Sequence, residues 1–292
     1  MIKSNQPVIS VVIPTRDRGE LFTKAVKSVF DQTYTNIELV VVDDNSATPP
    51  VINNAPEHVE VKYHRNDKAV GGAISRNTGA ALSKGEFICF LDDDDYYHAT
   101  KLQTLYEQLS ADSSLSVVFG RIVKLSEPER RMDKKYLDEH GIIKSPEAIK
   151  YLHTNSSLIR REVFEDIRFD ETLQKFQDTQ LHIELICNAK CKYVDEDVAY
   201  WNDKHGLAQI TDMKTQESHI RSLVNFRKMF TNLAKRQRIS KRYHLVLYSK
   251  YLVMLRNYKR QFGNVAGITL SNLDVVCLHV VRLASFLLGK RA

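Results

Sequence analysis

Four consecutive carboxylates, Asp92-Asp93-Asp94-Asp95, follow directly on the apolar run 87–91. Such a run reads as a strand buried on both faces. Four adjacent like charges repel one another, and burial makes them costlier. A strand end can carry them when a divalent cation or ligand donors supply the compensating charge. Hard oxygen ligands suit Mg²⁺ or Mn²⁺, above all where a phosphate shares the ion. Taken alone, the same residues also describe a solvated acidic loop capping the next helix, since Asp is a good N-cap.

Other segments carry chemistry at comparable places. The β-branched run 8–13 leads into Pro14-Thr15-Arg16, and the run 37–42 ends in Asp43-Asp44-Asn45-Ser46. Between these runs, Leu21, Ala25, Val26, Val29 and Phe30 recur at helical spacing, and a third strand is expected at 59–63. A loop through Gly71-Gly72 and a helix over 73–83 then lead to the strand at 87–91. Strand and helix in alternation predict an α/β fold with a parallel sheet and helices on its faces. Ligands bind such sheets beyond the carboxyl ends of the strands. Thr15, Arg16, Asp43, Asp44 and the four aspartates all fall there, so three segments are expected to meet in one crevice. A nucleotide needs this mixture: carboxylates for base N–H and ribose hydroxyls, a cation for the pyrophosphate, and Arg for residual charge. Neither Gly-x-Gly-x-x-Gly nor Gly-x-x-x-x-Gly-Lys-Ser/Thr is present, which argues against dinucleotide and P-loop sites.

Four stretches together resemble a family 2 glycosyltransferase with the GT-A fold, a Rossmann-like, mostly parallel sheet flanked by helices. They are Ser10-Val11-Val12-Ile13-Pro14-Thr15, Val41-Val42-Asp43-Asp44-Asn45-Ser46, Gly72-Ala73-Ile74-Ser75-Arg76-Asn77-Thr78-Gly79 and Phe90-Leu91-Asp92-Asp93-Asp94-Asp95. The resemblance covers roughly residues 8–210. It implies an inverting, metal-dependent transferase using a nucleotide-diphosphate sugar, a UDP-sugar in the first instance. Pro14, Thr15, Arg16, Asp44, Arg76 and Asn77 would then hold the nucleotide sugar. Asp92 or Asp93 would lie near ribose and donor sugar, with Asp94 as metal ligand, although four aspartates in a row leave the register open by one. Asp178, in Gln177-Asp178, would be the general base; from spacing alone it is a first-turn acid of a helix. Ala199-Tyr200-Trp201-Asn202-Asp203-Lys204-His205-Gly206 resembles the family's loop after the last core strand, and the resemblance makes His205 a candidate to complete the metal sphere or touch the pyrophosphate. Trp201, the only Trp, is a candidate for stacking on a sugar ring.

The residues between and beyond these motifs supply context. A helix face at Leu102, Leu105, Tyr106 and Leu109 precedes a strand at 115–122. Residues 126–150 are charged and irregular, which describes either a lid or acceptor-binding loop or a solvated insertion. Thr154-Asn155-Ser156-Ser157-Leu158-Ile159-Arg160-Arg161 resembles the strand preceding the family's catalytic helix.

Composition sets the bounds. Of 292 residues, 43% are hydrophobic and 27% charged, ordinary for a globular chain of one large domain or one domain and an appendage. Residues 1–7 have no apolar segment of signal-peptide kind, so a cytoplasmic setting is expected. Four cysteines fit a reducing compartment, and Cys187 and Cys191 lack the partners of a zinc site. The net charge of +6 conceals an asymmetry: from Lys204 onward there are 17 Lys+Arg and 3 Asp+Glu, leaving 25 and 33 before it. The expected division is a catalytic domain over 1–213 and a basic helical extension over 214–292. That extension suits the anionic inner face of a membrane, or packing on the core or on a second subunit as a homo-oligomer. Asp274, His279 and Arg282 interrupt the apolar run 270–288 and count against a membrane span. No recognised nucleic-acid reading motif accompanies the charge. The acceptor is expected to be a glycan or lipid-linked glycan in cell-surface polysaccharide synthesis. A nucleotidyltransferase, and a polyanion- or membrane-binding module with a degenerate enzyme core, are the competing readings.

Overall fold

The β-branched runs form the spine of an eight-stranded sheet. The computed structural model describes residues 6–206 and 215–263. The chain divides into two compact units, Met1–Leu207 and Ala208–Ala292. In the first, strands β1 (Ile9–Thr15), β2 (Ile37–Asp43), β3 (Val59–Arg65), β4 (Phe87–Phe90), β5 (Tyr96–Tyr97), β6 (Val117–Lys124), β7 (Ser157–Arg160) and β8 (Cys191–Trp201) take the order β3-β2-β1-β4-β7-β6-β8-β5. Pairing is parallel from β3 through β4, antiparallel on both sides of β7, parallel between β6 and β8, and antiparallel at β5. The parallel half is therefore where the sequence places it, and the other half is mixed. β1, β2 and β4 are buried at every position, as strands covered on both faces must be.

Helices α1 (Glu20–Phe30), α2 (Gly72–Leu82), α3 (Lys101–Ala111), α4 (Arg161–Asp166) and α5 (Gln177–Asn188) flank the sheet. α1 buries Ala25, Val26 and Val29 from the face its periodicity predicts, with Phe22 turned inward and Leu21 and Phe30 only half-buried. α2 lies close on the sheet because Gly79 faces it: a Cβ there would overlap Val12 Cγ1 and come within 3.1 Å of Val42 Cγ2. Two apolar clusters fill the faces of the sheet. The second contains Met132, Tyr136, Ile143 and Ala148, so the charged stretch 126–150 is not a solvated insertion. It folds through short 3₁₀ turns at Lys134–Tyr136 and Pro146–Tyr151 and sends one apolar side chain inward at each.

In the second unit, α6 (Gln216–Lys235) and α7 (Lys241–Phe262) pack through Leu223, Phe230 and Leu233 with Leu247, Tyr251 and Leu255. Phe230 meets Tyr248 and Tyr251 at ring-centroid distances of 6.1 and 6.0 Å. Capping by Thr215 and Ser240 starts the two helices. Among the described residues no helix is long and apolar enough to cross a membrane. The apolar run 270–288 and the expected domain boundary at 213/214 lie outside the described residues.

Candidate active site

Register brings the acidic strand ends together. Thr15 pairs with Asp43 at the end of β1 and β2, and the amide of Leu91 still donates to Val12 O at 3.0 Å as β4 leaves the sheet. The turn Asp92–Asp95 therefore begins beside Thr15. The Arg16 amide donates to Asp93 Oδ2 at 3.1 Å, which makes the first and third predicted segments direct neighbours.

The side chain of Arg16 is not the cation that enters. It is 55% exposed, beside Asp17, because Asp17 adopts a left-handed backbone (φ 54°) that turns the chain. Arg18 enters instead, with Nε 3.2 Å from Asp93 Oδ1 and Nη2 3.3 Å from Asp94 Oδ2. Pro14 stays within β1, paired with Val42.

Asp43 is spent on structure: its carboxylate accepts from Ser46 N and Tyr63 Oη and is paired with Arg65. Asp44 is also buried. It accepts from Asn66 Nδ2 at 2.9 Å and from the amides of Val70 and Gly71, both at 2.8 Å. Those amides belong to the loop entering α2, where Gly71 takes φ 93°. A carboxylate offers about four lone-pair positions, so three donors leave Asp44 one more to accept.

Arg76 spans the site. Its Nη2 lies 2.5 Å from Asp92 Oδ1 and its Nη1 3.3 Å from Gln177 Oε1, with Phe169 beneath the guanidinium. One side chain thus links the aspartate turn to the residue before Asp178. Asn77 points elsewhere, donating to Phe169 O and Glu171 Oε1 and tying α2 to the segment that precedes α5. Phe176, just ahead of Gln177, holds φ 63°, a costly conformation for a bulky residue.

Asn155, which the sequence does not single out, fixes the aspartate turn. It is fully buried; its Oδ1 accepts the Asp92 amide at 2.9 Å and its Nδ2 donates to Asp95 Oδ2 at 2.5 Å. Its own carbonyl accepts from the buried Lys101 Nζ at 2.8 Å. Asp95 Oδ1 also accepts the Asn202 amide at 2.7 Å. The only sequence signal for this arrangement is four polar residues, 154–157, directly before an apolar pair.

Crowding decides the electrostatics. Burial raises the Asp93 carboxyl to about 6 against the opposing charge of Arg18. Burial and the neighbouring Asp92 raise Asp94, with Arg18 and His205 acting the other way. Burial, Asp92 and Asp94 push Asp95 well above the usual carboxylate range. Burial also opposes ionisation of Asp92, but Arg76, His153 and Arg18 outweigh it and hold that carboxyl low. Burial and mutual repulsion thus oppose ionisation of three of the four carboxylates, a condition a bound divalent cation relieves.

The donors for such an ion are oxygen and imidazole. Asp92, Asp95 and His153 each place a ligand atom within 4.8 Å of the others, the one such group of three among the described residues. His205 Nε2 lies 3.4 Å from Asp94 Oδ2, its side chain nearly buried. Asp94 and His205 are therefore adjacent, while Asp92 and Asp95 already serve Arg76 and Asn155.

Asp178 lies in the first turn of α5 and lines a cavity of about 240 Å³ with His153, Trp201 and residues of the stretch 121–151. Trp201 is the last residue of β8, and its ring lies 5.2 Å from that of His153. The loop expected from residue 199 onward thus begins only after Trp201.

A carboxylate at one end of α2, a cation-hungry turn at its side and a cavity beyond suit transfer of a group from a nucleotide. The model of the family described as "Glycosyl transferase family 2" matches residues 10–168, and the chain belongs to that family. It is 31% identical over 175 residues to the Campylobacter jejuni GalNAc(5)-diNAcBac-PP-undecaprenol beta-1,3-glucosyltransferase, covering 56% of this chain and 55% of the relative. It is 28% identical over 187 residues to the Erwinia amylovora amylovoran biosynthesis glycosyltransferase AmsB, covering 60% and 62%. The matches thus span just over half the length of these relatives. Among solved structures, S. aureus TarS 1-349 in complex with UDP-GlcNAc aligns with a TM-score of 0.64 at 18% identity, covering 92% of this chain and 78% of that one. The fold is that of the GT-A glycosyltransferases.

Proposed function

We propose that this chain is an inverting, divalent-cation-dependent transferase that moves a sugar from a UDP-sugar to a hydroxyl of a glycan or lipid-linked acceptor in cell-surface polysaccharide synthesis. The observation that carries this reading is the reach of Arg76, which bridges Asp92 and Gln177 and so keeps the donor carboxylates within one guanidinium of the Asp178 helix. The donor would lie over the tips of β1, β2 and β4. Asp44 would use its remaining acceptor position for the base, with Thr15 and the Arg16 amide beside it. Asp94 with His205 would hold Mn²⁺ or Mg²⁺, which supplies neutralisation of the diphosphate when bound. Asp178 would take the proton of the acceptor hydroxyl as it attacks opposite the leaving group. Arg18 keeps Asp93 and Asp94 in place, and Trp201 and His153 wall the acceptor side.

A UDP donor is supported by the ligand of the TarS complex. The Pyrobaculum calidifontis mannosyltransferase PcManGT, bound to GDP-Man and Mn²⁺, aligns with a TM-score of 0.56, so the fold accommodates either nucleotide. A lipid-linked acceptor is supported by the name of the Campylobacter relative. In this reading residues 1–213 are the catalytic domain, and 214–292 offer basic helices to the inner face of the membrane. Flotation of the full chain with anionic but not neutral liposomes tests that placement.

The general base is tested by Asp178→Asn. Transfer should fall about 10²–10⁴-fold while UDP affinity stays within about twofold. Wild-type turnover in that variant would remove Asp178 from the role.

A further inference from the structure

The cavity at Asp178 is basic. Arg121, Lys124, Arg130 and Lys150 line it, and Asp178 is its one acidic lining residue. Two of the cations are already balanced: Arg121 is paired with Asp197, and Lys124 lies 2.6 Å from Glu127 and 3.7 Å from Asp203. The other two have no such close partner. Among the described residues no carboxylate lies within 4.0 Å of Arg130 or Lys150. Arg130 donates to the Lys150 carbonyl, and the two side chains share the Tyr151 ring at 5.6 and 5.0 Å from its centroid. Lys150 Nζ also lies over the Tyr136 ring, 5.3 Å from its centroid. Two cations of one cavity are therefore held by ring faces and a backbone oxygen, which orient charge without neutralising it.

We infer that the acceptor carries an anionic group, phosphate or carboxylate, close to the hydroxyl that is glycosylated, and that Arg130 and Lys150 bind it. The inference rests on Asp178 being the base. Inversion puts base and leaving diphosphate on opposite sides of the anomeric carbon, so an anion sharing the cavity with Asp178 belongs to the acceptor rather than to the donor. A neutral sugar would leave both cations without a close counter-charge, whereas a phosphate or carboxylate can accept from such donors. Trp201 supplies apolar surface for the attached sugar ring.

Ligand-observed NMR titration of the full chain, saturated with UDP and Mg²⁺, tests this with three matched probes: glucose 1-phosphate, glucuronate and methyl glucoside. At least one anionic probe should bind about tenfold tighter than methyl glucoside at low salt, and the preference should shrink at about 0.3 M salt. Arg130→Gln and Lys150→Gln should each reduce the preference several-fold, with UDP affinity unchanged. The comparison of the two anions identifies phosphate or carboxylate as the source. Equal binding of all three probes, or a preference that survives in both variants, would overturn the inference while leaving the transferase reading intact. Loss of UDP affinity in the variants would assign the cations to the donor diphosphate and also overturn it. Failure of the wild-type chain to bind UDP would sink the transferase reading and this inference together. Lys150 is exposed, so its variant keeps the test decisive should Arg130→Gln unfold.

Discussion

Replacing Asn155 by Leu removes an amide of nearly the same size from a fully buried position. Two hydrogen bonds vanish, those from the Asp92 amide and to Asp95 Oδ2, while the backbone bond from Lys101 persists. An orphaned buried N–H costs about 1–3 kcal/mol, and loss of a hydrogen bond to a carboxyl group about 1–2 more. A destabilisation of about 3 kcal/mol follows, or a fall in melting temperature of roughly 6–12 °C for a domain of this size. The same change loosens both ends of the turn that carries Asp93 and Asp94, leaving Asp92 held by Arg76 and Asp95 by the Asn202 amide. Calorimetry should therefore find UDP affinity in Mn²⁺ reduced by about tenfold, equivalent to about 1.4 kcal/mol. Asn155→Asp should be worse at neutral pH, because it adds a carboxylate beside two others, and should recover on acidification. A melting shift below about 2 °C in Asn155→Leu, with UDP affinity intact, would refute the reasoning.

The remaining predictions concern charge, pH and packing. Asp94→Ala should lower both metal and UDP affinity, and calorimetry with normal Mn²⁺-dependent UDP binding would count against the pairing of Asp94 with His205. His182 is fully buried among α5 neighbours, and burial, reinforced by His153 and opposed by Asp178, lowers it to about 4. It stays neutral in the fold while the unfolded chain takes up a proton near 6.5, so stability falls as pH drops from about 6.5 toward 4, by about 3 kcal/mol in all. Urea midpoints at pH 7 and 4.5 should converge more in His182→Met than in the wild type; identical pH slopes would exclude this role. Gly79→Ala should cost about 1–3 kcal/mol through its clash with Val12, and Val12→Ala should relieve part of that loss in the double variant.

The acid-tipped strands were legible because two independent signals coincide there. Uninterrupted β-branched runs demand burial, and the charges that follow them demand an end to it. Asp43 and Asp44 look equivalent in the chain, yet the fold spends the first on Arg65 and Tyr63 and leaves the second an acceptor position. The choice of Arg18 over Arg16 depends on the left-handed backbone at Asp17, a conformation that residue type alone does not announce. Asn155 was hidden because 154–161 resembles a strand of the family; residues 154–156 form a 3₁₀ turn instead, and only tertiary pairing makes Asn155 a buried partner of Asp92 and Asp95. The stretch 126–150 was ambiguous for the opposite reason: its inward residues, Met132, Tyr136, Ile143 and Ala148, are too widely spaced to register as a periodic element.

The aspartate turn is fastened at its first and last residues by one amide, so its two middle carboxylates are presented on a short, closed span. The conformational freedom of that span is surrendered when the chain folds, and not again at each encounter with a donor. Binding energy from the nucleotide is then left for discriminating between sugars and for bringing the anomeric carbon into line, rather than for assembling the surface that receives it.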